Sequence, residues 1–165
     1  MMELVSRLAR EPWTDRPACV HPVLSAVARA AHDHSTSAGR RELLPLAPHF
    51  LNTNHTGFQP SARLVALCVS TALTGGELQP DEEHRLGRAH RTALQLLDSD
   101  GGTDQWWLRF RWSEAFYRTF VAIEHAAEAV AVTARVTGGD RDVRLRALLK
   151  QCLRTQGAVR TSPAS

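Results

Sequence analysis

Lysine is almost absent from this chain. Lys150 is the only one among twenty basic residues, and the rest are arginine. With abundant alanine, this reads as the imprint of a GC-rich genome before it reads as function. Cysteine is also scarce. Cys19, Cys68 and Cys152 make an odd count, which argues against a disulfide framework. No apolar run approaches the ~20 residues that a membrane span needs. The stretch from Met1 to Arg10 mixes Glu3, Arg7 and Arg10 with Leu and Val and has no apolar block of a signal peptide, so a cytoplasmic protein is expected. The glycine pairs 75–76, 101–102 and 138–139 are not followed by Gly-Lys-Ser/Thr, which excludes a phosphate-cradling P-loop. No G-x-S-x-G nucleophile elbow is present.

The 165 residues are 43% hydrophobic and 22% charged, the balance of one globular domain with its own core. The net charge of +3 is unevenly spread. From Arg135 onward seven cations face Asp140 and Asp142, a local +5 that leaves the remainder at about −2.

Sustained apolar/polar alternation is missing, and helical periodicity fills its place. The expected fold is an all-α, single-domain bundle of about six helices around one long central helix. Residues 1–17 read as an N-terminal arm and linker, Met2 to Arg10 a short helix or an ordered arm and Pro12 to Pro17 the linker with Trp13, and residues 156–165 as a polar tail. A helix is expected from Pro22 to Asp33, with Val20, Leu24, Val27 and Ala31 on one face. Proline suits its first turn, where the N–H has no partner. Ser35-Thr36-Ser37 offers N-caps for a second helix through Leu44, which Pro45 and Pro48 then break or kink. Residues 52–60 form a loop. A strongly apolar helix runs from Pro60 to Leu73, and an acidic start at Asp81-Glu82-Glu83 opens another that reaches Leu97. Asp81 to His84, with His90, reads as a solvated helix face. The longest helix is predicted from Thr103 to Val136 and the last from Asp140 to Thr155.

Three clusters carry chemistry. The first is Cys19 and His21 with His32, Asp33 and His34. A residue before proline avoids helical geometry, so His21 is extended and Cys19 and His21 point the same way. They suit one zinc or iron ion, with His32, Asp33 and His34 as a second small ligand set. Eleven residues of helix at ~1.5 Å each keep His21 and His32 from sharing an ion. C-x-H without a matching C-x-x-C or H-x₃-H pair is a weak zinc signature, and a histidine in a last helical turn is also favoured by the helix dipole.

The second cluster lies on the long helix. Trp106, Phe110, Tyr117, Phe120 and Val121 share an arc with Glu124 and Glu128, flanked by His125. A carboxylate on an aromatic face must be paired, metal-bound or protonated. That makes Trp106, Phe110, Tyr117, Glu124, His125 and Glu128 a candidate pocket. The competing expectation is ion pairing of the two glutamates with arginines such as Arg88, Arg91 or Arg135. The third cluster is the last helix, where Leu145, Leu148, Leu149 and Cys152 form a buried stripe. Arg144, Arg146, Lys150 and Arg154 form the opposite, basic face. Such a face can meet nucleic acid or an acidic partner, although a solvated face is the simpler expectation.

The stretch from Trp13 to Leu24 (Trp-Thr-Asp-Arg-Pro-Ala-Cys-Val-His-Pro-Val-Leu), with Val27 to His34, resembles short helical proteins of actinobacteria that begin W-[TS]-D-x-P-x-C-x-H-P. The resemblance implies a small α-helical family and marks Cys19 and His21 as characteristic. It implies no reaction. The leading expectation is a non-enzymatic protein that acts by binding a protein partner or a second copy of itself. A metal-binding enzyme or sensor and a nucleic-acid binder are the alternatives.

Overall fold

The computed structural model describes residues 1–54, 59–98 and 117–159. Among them are seven α-helices and no strand, so the protein is all-α. Helix α1 spans Met2–Leu8, α2 Pro22–His34, α3 Ser37–Leu43, α4 Gln59–Leu73, α5 Pro80–Asp98, α6 Ala122–Val136 and α7 Arg141–Val159. A 3₁₀ segment, Leu44–Phe50, follows α3, and a π turn, Tyr117–Val121, leads into α6.

Helix α6 lies at the centre and contacts α2, α4, α5 and α7. Its buried face is Ala122, Ala126, Ala129, Val130 and Thr133. Small side chains at helical spacing let neighbouring backbones approach closely, so one helix can be covered from several sides. Helix α4 packs on α5, α6 and α7 and buries Leu64, Val65, Cys68, Val69 and Ala72. The expected faces of the two helices flanking this centre are found. Val20, Leu24, Val27 and Ala31 are buried, as are Leu145, Leu148, Leu149 and Cys152. The two buried thiols Cys68 and Cys152 meet across α4 and α7, their Sγ atoms 3.8 Å apart. The contact with Cys68, and then burial, raise the Cys152 thiol well above its ordinary value, and the pair packs as small hydrophobes.

Helix α3 stops at Leu43, where Pro45 and Pro48 are expected to break or kink it; the chain goes on as 3₁₀ over Leu44–Phe50 and buries Leu46, Ala47 and Phe50. Proline near a helix start removes an N–H that has no partner there in any case. Helix α7 runs on to Val159, into the stretch expected to be a tail, and buries Gln156 completely. The short helix or ordered arm expected over Met2 to Arg10 is α1, and it joins the core by burying Met2, Val5 and Ser6. Of the long helix predicted from Thr103, only the part from Tyr117 lies within the described residues.

Helix α3 is fixed from both ends of the chain. Thr36 is its N-cap, and its hydroxyl accepts the Gly39 N–H at 3.1 Å. Asp142, in the first turn of α7, accepts the Thr36 N–H at 3.0 Å and the Thr36 hydroxyl. A carboxylate is well placed at the positive end of α3. These hydrogen bonds hold the Asp142 carboxyl below its ordinary value.

Candidate functional site

The Cys19 region is built by the loop after α1. That helix ends in a Schellman arrangement: the Glu11 N–H donates to Ser6 O at 2.9 Å and the Arg10 N–H to Arg7 O at 3.2 Å. Arg10 occupies the left-handed position, φ 58°, where glycine is usual. The chain then turns back over the helix. Ser6 Oγ donates to Thr14 O at 2.6 Å. The Glu11 carboxylate accepts the Ala18 N–H at 2.7 Å and the Cys19 N–H at 3.0 Å. Burial and the Glu11 charge push the Cys19 thiol above its ordinary value, which disfavours the thiolate that a metal or an electrophile would need.

His21 takes the extended conformation expected before Pro22, φ −57° and ψ 129°. Its side chain is fully buried, with Nε2 3.3 Å from Ser61 Oγ. Its N–H donates to Thr53 Oγ1 at 3.3 Å, and Thr53 in turn donates to Phe50 O at 2.8 Å. This buried polar chain fastens the start of α2 to α4 and to the end of the 3₁₀ segment. Cys19 and His21 therefore sit in different surroundings, one half-buried beside Glu11 and the other inside the bundle.

At the far end of α2, His32 Nδ1 lies 3.4 Å from Asp33 Oδ1, while His34 is exposed. His32 and Asp33 line a cleft of about 260 Å³ with Glu3, Asp15 and Arg29. Arg29 donates to Asp15 O at 3.2 Å. Among the described residues no three His, Cys, Asp or Glu side chains gather closely enough to hold a metal ion. The first cluster is thus spread over two places, and His21 is engaged in the core.

The second cluster is divided as well. Tyr117 is buried, and burial pushes its hydroxyl up to about 12. Glu124 is exposed, and Phe120, expected on the same arc, is exposed too. A π turn carries more residues per turn than an α-helix, so the register assumed for a continuous α-helix does not apply across Tyr117–Val121. Glu128 accepts Arg85 Nε at 3.0 Å. Arginine pairing of Glu128 was anticipated, but from Arg88, Arg91 or Arg135. Arg135 pairs instead with Glu82, which is half-buried rather than solvated. His125 is half-buried; desolvation lowers its value, against the pull of Glu128 and Glu124. Trp106 and Phe110 lie outside the described residues.

The basic face of α7 is not uniform. Arg146 donates to Glu42 Oε2 at 2.7 Å and is half-buried, while Arg144 is exposed. Lys150 and Arg154 border a cleft of about 530 Å³ between α7 and the 3₁₀ segment.

The sequence leaves open whether Trp13 folds over the Cys19/His21 region or lies on the surface, and the structure places it on the surface. Trp13 is 64% exposed, and Arg7 lies over its ring at 5.8 Å from the centroid. Leu4 and Leu8, four apart on α1, are 38% and 47% exposed. A large aromatic in a Pro-rich linker carries no periodicity, so only the capped turn that holds it reveals it as presented.

The described residues form a small all-α bundle with an exposed Trp13 on a hydrogen-bonded loop and, among its surfaces, the clefts beside Arg29 and beside Lys150. Compared with family models, with curated proteins and with solved structures, the chain has no match in any of the three. Among the described residues no helix is long and apolar enough to cross a membrane.

Proposed function

We propose that this protein works by binding a protein chain, a second copy of itself first of all, through the surface formed by Leu4, Leu8 and Trp13. One observation carries the reading. Trp13 is mostly exposed, yet the loop bearing it is held by the Schellman turn, the Ser6–Thr14 bond and the Glu11 clamp. Exposing an indole is unfavourable in water. Fixing it in place removes the ordering cost that association would otherwise carry, and buried tryptophans dominate binding energy at interfaces.

The charges beside it favour a second copy. Glu3 and Arg7 on α1, and Arg10, Asp15 and Arg16 in the loop after it, are all exposed. A patch carrying both signs can complement itself across a two-fold axis, the commonest symmetry of protein oligomers. Sedimentation velocity across micromolar concentrations tests this. A dimer that Trp13→Ala returns to monomer, with an unchanged unfolding temperature, supports the reading. A wild-type protein that is monomeric throughout removes self-association.

A further inference from the structure

We infer that the cleft between α7 and the 3₁₀ segment is a binding site for a small organic anion with an apolar body. This rests on different residues from the Trp13 surface and stands or falls apart from it. The cleft holds about 530 Å³, within the ~300–1,000 Å³ of small-molecule sites. Leu46, Pro48, Leu51 and Leu153 supply apolar wall, and Lys150, Arg154 and His49 supply donors. Among the described residues no carboxylate lines it.

The charges are the informative part. Lys150 and Arg154 are four apart on one helix, a spacing at which like charges repel. Among the described residues neither has a carboxylate partner, whereas the neighbouring Arg146 is paired with Glu42 and Arg135 with Glu82. A helix C-terminus favours cations, but that effect fades within one turn. Both Lys150 and Arg154 stand more than a turn before Val159. Two unpaired cations over an apolar wall suit a ligand with a carboxylate or similar anionic head and a hydrocarbon body. Nucleic acid would need a wider basic tract to follow its phosphates, and Arg146, next along the helix, is already engaged by Glu42.

Gly157 makes the idea testable without disturbing the fold. It lines the cleft, and a Cβ placed on it meets nothing within 4 Å. Calorimetric titration of the full chain would compare 6-phenylhexanoate, its neutral counterpart 6-phenylhexan-1-ol, inorganic phosphate and a single-stranded oligonucleotide. The expected result is one carboxylate bound per chain and at least about tenfold weaker binding of the alcohol, the effect of one charge-assisted hydrogen bond. Lys150→Gln with Arg154→Gln should abolish that difference. Gly157→Leu should block the carboxylate while the unfolding temperature is kept. Equal affinity for acid and alcohol would overturn the proposal, as would no binding at all. Phosphate binding as tightly as the carboxylate would leave only a charge patch. Oligonucleotide binding that falls steeply with salt and displaces the carboxylate would reassign the face to nucleic acid.

Discussion

Gly39 and Asp142 should be energetically coupled although they are far apart in sequence. A Cβ at Gly39 would lie 2.4 Å from Asp142 Cγ and 2.6 Å from each carboxylate oxygen, well inside contact distance. Gly39→Ala must therefore expel the carboxylate from the α3 cap and break its bonds to Thr36 N–H and hydroxyl. Hydrogen bonds to a charged group contribute about 1.5–3 kcal/mol. Solvent exposure reduces that here towards about 1–1.5 kcal/mol. Against this, Ala in place of Gly in a helix gains about 0.5–1 kcal/mol. The net expectation is a loss of about 0.5 kcal/mol in the wild-type background. In Asp142→Ala the obstructing carboxylate is gone, and the same Gly39→Ala change should stabilise by about 0.5–1 kcal/mol. Urea unfolding of the four variants, followed by circular dichroism, yields the coupling directly. A sign reversal between backgrounds is predicted; additive effects, or a stabilising Gly39→Ala in the wild type, would refute the cap. The pH dependence gives a second reading. The folded carboxyl lies below its ordinary value of 3.8, so its contribution is present above that value and is lost as pH falls through the folded one. Wild type and Asp142→Ala should therefore converge in stability at the acid end.

Other expectations follow from the same structure. His125 has its value lowered below the ordinary 6.5 by burial, so its neutral form is the one the fold favours. Wild type should lose stability as pH falls from about 7 to 5, and His125→Gln should lack that component in denaturant melts. Arg10→Gly should raise stability by up to about 1 kcal/mol, because Arg10 holds a left-handed conformation at the end of α1; a loss would mean that its side chain outweighs the backbone strain. In native protein a thiol reagent should modify Cys19 alone, slowly and faster towards high pH, with Cys68 and Cys152 reacting only on unfolding. Three thiols reacting at one rate would contradict the buried pair.

What the sequence revealed was local. Val20, Leu24, Val27 and Ala31 announce their face through 3.6-residue spacing, and Thr36 announces a cap through its residue type. Asp142, which completes that cap, comes from the other end of the chain and leaves no local trace. The same holds for His21. Its extended backbone follows from Pro22, but its partners Thr53 and Ser61 arrive from other elements, and they turn a candidate ligand into a core residue. Arginine pairing of Glu128 was legible as a need, whereas the choice of Arg85 over Arg88 depends on how α5 is set against α6. The basic face of α7 was visible as a stripe. Its division into a paired Arg146 and a cleft-lining Lys150 and Arg154 depends on where Glu42 and the 3₁₀ segment fall.

The fixed, exposed Trp13 should anchor a protein interface. Sedimentation velocity of the wild type and Trp13→Ala, from about 1 to 100 µM, a range that brackets dissociation constants of micromolar strength, decides the matter. A concentration-dependent dimer is expected in the wild type and a monomer of equal thermal stability in the variant. A wild-type monomer at every concentration, or a dimer that Trp13→Ala leaves intact, would contradict it.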